Sequence, residues 1–153
     1  MKISTRCVVG GALAGIAVAA AVPSAAVAGT YTTYRDLATG FCLDSNGEGR
    51  AYTLGCNGGS FQKWVLRSAD GGVTLRNLAT GFCLDSNTAG RVYTLACNGG
   101  NYQVWTRTRY GNQVTLRNLS TGLCLDSNTD GRIYTLGCNG GSYQRWTPVT
   151  GRY

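Results

Sequence analysis

Three aspartates stand 41 residues apart, Asp44, Asp85 and Asp126, each two places after a cysteine, and each is followed 18 residues later by a glutamine, Gln62, Gln103 or Gln144. A carboxylate accepts hydrogen bonds and a primary amide both accepts and donates, so the pair can hold a ligand rich in hydroxyls. It is a poor catalytic set. The chain has no His, and Lys63 is the one lysine beyond the first few residues, which leaves seven carboxylates for acid–base work. Hydrolysis by paired acids needs two carboxylates facing one bond, whereas here a single Asp recurs three times. Three equivalent docking points are expected, with no enzyme activity and no cofactor. The run Asp126-Ser-Asn128-Thr-Asp130-Gly131 matches the first half of a calcium loop, but Gly137 stands where the bidentate Glu should be and Ala89 replaces a carboxylate in the second copy. Calcium, and any metal site, therefore has no support from the sequence.

These residues belong to one unit written three times. At the same offset of 41 recur Cys42, Cys83 and Cys124, then Cys56, Cys97 and Cys138, then Trp64, Trp105 and Trp146. Each copy reads R-[DN]-L-x-T-G-x-C-L-D-S-N, a glycine-bearing turn, and R-x-Y-T-L-x-C-N-G-G-x-[FY]-Q-x-W, so the copies span about 32–66, 73–107 and 114–148. Propellers want more blades, and a solenoid would show atypical end copies. Closure around a threefold axis fits three equally good copies better. Within a copy the signals are all β: alternation at Phe41–Asp44 and Arg50–Cys56, turn formers between them, and no helical spacing. Strands are predicted near 32–37, 41–44, 50–55 and 61–66, about twelve in the whole chain.

The composition agrees with one compact domain: of 153 residues 43% are apolar and 14% charged, with 23 Gly against 2 Pro. Residues 1–28 read as a secretory signal peptide. Lys2 and Arg6 precede an uncharged Ala/Val/Gly run, and Ala26-Val27-Ala28 offers the small-x-small pattern of a cleavage site. A membrane span is the competing reading, but Ala and Gly give little transfer energy and no basic cluster follows. Removal leaves residues 29–153 with 12 basic and seven acidic residues and six cysteines. An even number suits the oxidising space outside the cell.

Pairing within each copy (42–56, 83–97, 124–138) and pairing shifted between neighbours (56–83, 97–124, 138–42) both respect the repeat. The first is preferred, because a short loop closes locally. If Cys42 and Cys56 sit opposite one another, Asp44 faces Leu54 and lies diagonal to Tyr52. Alternation then puts Asp44, Arg50, Tyr52 and Leu54 on the cystine side and Phe41 and Leu43 on the other.

Three copies of C-L-D with a later C and Q-x-W, at Cys42-Leu43-Asp44 with Gln62-Lys63-Trp64, Cys83-Leu84-Asp85 with Gln103-Val104-Trp105, and Cys124-Leu125-Asp126 with Gln144-Arg145-Trp146, resemble the ricin-B-type β-trefoil lectins and the family-13 carbohydrate-binding modules of secreted glycosidases. The resemblance covers nearly all of residues 29–153. It implies an all-β pseudo-threefold barrel of six strands capped by three hairpins, with up to three shallow sugar sites. A sugar offers hydroxyls and an apolar ring face, so its receptor needs a carboxylate, amides and an aromatic plane. Asp44, Asp85 and Asp126, Gln62, Gln103 and Gln144, and Tyr52, Tyr93 and Tyr134 are the expected carbohydrate-binding residues.

Two departures alter every copy. The family's stacking aromatic, two residues before the second cysteine, is Leu54, Leu95 or Leu136, and its Asn before the Gln is Phe61, Tyr102 or Tyr143. The tyrosines four before the cysteine could supply a displaced platform. Blander roles compete: the aspartates as turn caps, the tyrosines as cross-strand packing, the tryptophans as fold determinants, and Arg50, Arg91, Arg132, Arg76 and Arg117 as solvated faces.

The resulting expectation is a secreted, extracellular, monomeric, lectin-like protein that binds a polysaccharide or glycan. It has no catalytic domain beside it, no nucleic-acid partner, and no membrane attachment once the leader is cut. The rivals are a protein-binding trefoil with decayed sugar sites, and a salt-sensitive binder of anionic polymers.

Overall fold

A computed structural model describes residues 28–153 together with Gly11, so nearly all of the leader expected over 1–28 lies outside the described residues. Twelve strands follow in order: β1 (Thr30–Asp36), β2 (Cys42–Ser45), β3 (Ala51–Leu54), β4 (Trp64–Ala69), β5 (Gly72–Asn77), β6 (Cys83–Ser86), β7 (Val92–Leu95), β8 (Trp105–Tyr110), β9 (Gln113–Asn118), β10 (Cys124–Ser127), β11 (Ile133–Leu136) and β12 (Trp146–Arg152). Six of them close a ring of antiparallel pairs, β1–β4, β4–β5, β5–β8, β8–β9, β9–β12 and β12–β1. Closure leaves the barrel without a free edge. The other six form three hairpins, β2–β3, β6–β7 and β10–β11, which cap it. This is the β-trefoil that the resemblance implies.

The expected strand at 61–66 starts late. Ser60–Gln62 forms a 3₁₀ turn, as do Asn101–Gln103 and Ser142–Gln144, and the strand begins at the tryptophan. The turn has a purpose: it swings the glutamine side chain back under the hairpin while the next residue but one enters the barrel. Trp64, Trp105 and Trp146 are fully buried there, and each indole N–H donates to a leucine carbonyl of the neighbouring hairpin, Leu43, Leu84 or Leu125, at 3.1, 3.0 and 3.2 Å. Gln-x-Trp thus fastens hairpin to barrel with two side chains. Leu43, Leu84 and Leu125 fill the core with Leu75 and Leu116, and each such burial contributes about 2 kcal/mol.

Three disulfides join Cys42 to Cys56, Cys83 to Cys97 and Cys124 to Cys138, the within-copy pairing. Each loop they close constrains the unfolded chain by about 3 kcal/mol. The hairpin register differs from the expectation by one residue pair. Cys42 faces Leu54 and Asp44 faces Tyr52, because Cys56 lies two residues beyond the end of β3 and the cystine closes the hairpin from outside its ladder. The slip is by two residues, so the face of each side chain is unchanged.

Where one copy meets the next, an asparagine ties the seam. Asn77 donates from Nδ2 to the Phe61 carbonyl and Asn118 to that of Tyr102, both at 2.7 Å. At the seam where β1 meets the last copy the position is Asp36. Its Oδ1 accepts from the Ala38 and Thr39 amides, but its buried Oδ2 has no hydrogen-bond partner, and burial raises its pKa.

Candidate functional site

Each aspartate is buried and accepts from the glutamine of its own copy. Asp44 Oδ2 accepts from Gln62 Nε2 at 2.8 Å, and Oδ1 accepts from the Ser45 amide at 2.7 Å. The second hydrogen of Gln62 Nε2 goes to the Gly55 carbonyl at 3.1 Å, while Gln62 Oε1 accepts from the Asn57 amide at 2.9 Å. Asp85 with Gln103 and Asp126 with Gln144 repeat the pair at 2.9 and 2.8 Å. Asp44 is 3% exposed and Gln62 1%. The glutamines thus spend both amide hydrogens within their own copy, one on the aspartate and one on the carbonyl of Gly55, Ala96 or Gly137. Burial lifts the Asp44 carboxyl above the usual carboxylate range, against the opposing pull of the Gln62 and Ser45 hydrogen bonds.

Around this pair each copy exposes two large apolar side chains. Leu54, Leu95 and Leu136 are 48, 48 and 49% exposed, and Phe61, Tyr102 and Tyr143 are 42, 40 and 41% exposed. Phe61 immediately precedes Gln62, and Leu54 immediately precedes Gly55, whose carbonyl Gln62 holds. The two departures from the family pattern are thus large exposed apolar side chains of each copy, Leu54 with Phe61, Leu95 with Tyr102 and Leu136 with Tyr143.

The tyrosines go elsewhere. Tyr52, Tyr93 and Tyr134 face their aspartates across the hairpins, and their hydroxyls donate to the carbonyls of Ser45, Ser86 and Ser127 at 3.1, 3.5 and 3.0 Å. Their rings converge on the pseudo-threefold axis, where they line one open cavity of about 820 Å³ together with Arg50, Arg91 and Arg132. Two smaller cavities, about 280 and 220 Å³, lie beside Arg35 and Gly40 and beside the Cys124–Cys138 disulfide with Gln144. Burial first, and then the neighbouring aspartate, pushes all three phenols above their usual value. Tyr102 adds to the shift at Tyr93, and Tyr143 to that at Tyr134.

The sequence places the tyrosines in three separate sites and the arginines on solvated faces, whereas the structure gathers both around one cavity. A clue lay in the Arg-x-Tyr spacing, Arg50 with Tyr52, which puts both on one strand face in every copy. The calcium-like run closes a turn: Asn128 Oδ1 accepts from the Asp130 and Arg132 amides, and Asp126 is taken up by Gln144. Among the described residues no group of three or more His, Cys, Asp or Glu side chains is arranged for a metal, and no helix is long and apolar enough to cross a membrane.

A family model described as the ricin-type beta-trefoil lectin domain matches residues 30–146. No curated protein matches the chain. Among solved structures it is similar to ThreeFoil, a designed 3-fold symmetric protein, with TM-score 0.72 and 25% identity over 78% of this chain and 97% of that one. It is also similar to part of 1,3Gal43A, an exo-β-1,3-galactanase from Clostridium thermocellum (TM-score 0.73, 22% identity, 84% of this chain and 31% of that one). A third likeness is to a GlcNAcα1-4Gal-releasing endo-β-galactosidase from Clostridium perfringens (TM-score 0.72, 16% identity, 80% of this chain and 32% of that one). The chain spans about a third of each enzyme.

Proposed function

Because the chain belongs to the ricin-type β-trefoil lectin domain family, whose members are carbohydrate-binding and non-catalytic modules, we propose that it binds an extracellular polysaccharide or glycan without transforming it, through up to three equivalent lobe patches. The observation that carries this reading is the recurrence in all three lobes of an exposed ring and an exposed leucine beside a buried, amide-held carboxylate. The ring of Phe61, Tyr102 or Tyr143 offers the plane for a sugar's C–H face. Asp44, Asp85 or Asp126 offers a fixed acceptor for a hydroxyl, and Tyr52, Tyr93 or Tyr134 closes the inner side. Gln62, Gln103 and Gln144 act through the aspartates. Three weak patches on one rigid barrel gain by avidity on a polymer. The three disulfides accord with secretion after removal of residues 1–28.

The test is retention on a panel of insoluble polysaccharides and glycans at low and high salt. Retention is expected to tolerate salt, to be competed by a free sugar, and to be lost in the triple variant Phe61→Ala, Tyr102→Ala, Tyr143→Ala, whose fold is expected to be intact because the rings are exposed. Wild-type retention by that variant defeats the proposal. The exposed leucines, where the family carries an aromatic, favour one alternative, a protein partner, and failure to bind any saccharide would support it.

A further inference from the structure

The axial bowl has a chemistry of its own. Its wall is made of three phenol rings and its rim of three guanidinium groups, and Glu48 and Asp130 line it as well. Three positive charges against two negative ones leave a single uncompensated positive charge. The repeat shows which guanidinium has no acid two places before it. Glu48, Ala89 and Asp130 occupy one position, 41 residues apart, two places before Arg50, Arg91 and Arg132. Glu48 pairs with Arg50 at 3.2 Å, whereas the place beside Arg91 is held by a methyl group.

We propose that this bowl is a fourth binding site, distinct from the lobe patches, for a saccharide unit carrying one carboxylate, such as a hexuronic acid. Four features select that class. The planar fork of Arg91 matches a carboxylate bidentately. The tyrosine rings offer apolar faces to a sugar ring. Glu48 and Asp130 accept hydroxyl hydrogens, and they repel a second or third negative charge, so a sulfate or a densely charged polymer is disfavoured. The volume, about 820 Å³, lies within the range of small-molecule sites. The bowl is also firm: the Thr94, Thr135 and Thr53 amides donate to the carbonyls of Gly49, Gly90 and Gly131 at 2.8, 2.9 and 2.8 Å, linking each hairpin to the next around the axis.

The experiment is a calorimetric and NMR titration of the oxidised domain with a disaccharide of one glucuronic acid and one xylose, with its methyl ester, and with inorganic sulfate. The acid is expected to bind and to shift amides around Tyr93, Arg91 and Tyr134, with the ester about tenfold weaker or worse, since a charge-assisted hydrogen bond is lost. Arg91→Ala should weaken the acid by a similar factor. So should Ala89→Glu, which supplies the missing third carboxylate in a turn that already accepts Glu48 in the first copy. Both variants change exposed side chains only, so their spectra should otherwise match the parent. The triple ring variant of the lobes should leave the titration unchanged, which separates failure of the lobe proposal from failure of this one. Equal binding of acid and ester, sulfate binding as tight as the acid, no effect of Ala89→Glu, or shifts confined to Phe61, Tyr102 and Tyr143 would each overturn the assignment.

Discussion

Two buried carboxylates, one in a lobe and one at a seam, meet the same loss of water in different company. Asp44 has a donor on each oxygen, Gln62 on one and the Ser45 amide on the other. Asp36 has several donors on Oδ1 and none on Oδ2. By the repeat, that bare oxygen takes the place of an asparagine nitrogen that donates to a carbonyl at the other two seams. Burial raises both pKa values, yet only one of the two groups is fully partnered. Depth dominates at both sites, and what separates the two acids is how the donors are shared between the two oxygens.

Removing the donor from the well-partnered acid should have the largest effect. Gln62→Leu strands Asp44 Oδ2, the Gly55 carbonyl and the Asn57 amide together, and should cost about 3 kcal/mol in urea unfolding. Copying the poor seam onto a good one comes next. Asn77→Asp sets a carboxylate oxygen against the Phe61 carbonyl in place of a donor, and should cost about 2 kcal/mol at neutral pH. The reverse change, Asp36→Asn, should stabilise by about 1 kcal/mol.

The seam changes carry a pH signature. A carboxyl whose folded pKa lies above its unfolded value takes up a proton on folding, so its contribution is fully present below the unfolded value, 3.8, and is lost as pH rises through the raised folded value. The gain from Asp36→Asn should therefore be near zero at pH values around 4 and reach its full size once Asp36 is ionised in the native state. Unfolding midpoints measured across that window check it, and a gain independent of pH would contradict the seam comparison.

The fold was legible because triplication and cysteine spacing are properties of the string. Thr-Gly and Asn-Gly-Gly turns, Tyr-Thr-Leu strands and Gln-x-Trp each recur at one offset, and only closure satisfies three equal copies. The hairpin register was less legible, since cysteine spacing alone does not tell that Cys56 lies past the end of its strand. Depth was not legible at all. Alternation assigns Asp44 to a face, but all four residues of Cys42–Ser45 are buried, because the Ser60–Gln62 turn and the barrel cover the hairpin on both sides. Nor could alternation say that three tyrosines from separate copies share one cavity. That depends on the angle at which the hairpins lean over the axis, and the string encodes it only through the glycines that permit it.

Gly49 has φ of +84°, and a Cβ there would lie 2.8 Å from the Thr94 carbonyl oxygen; Gly90 and Gly131 repeat the arrangement. The three hairpins consequently lean on one another like the poles of a tripod, each latched to the next. A load on one leg is shared by the other two, so the mouth they enclose resists being pried open from any single direction.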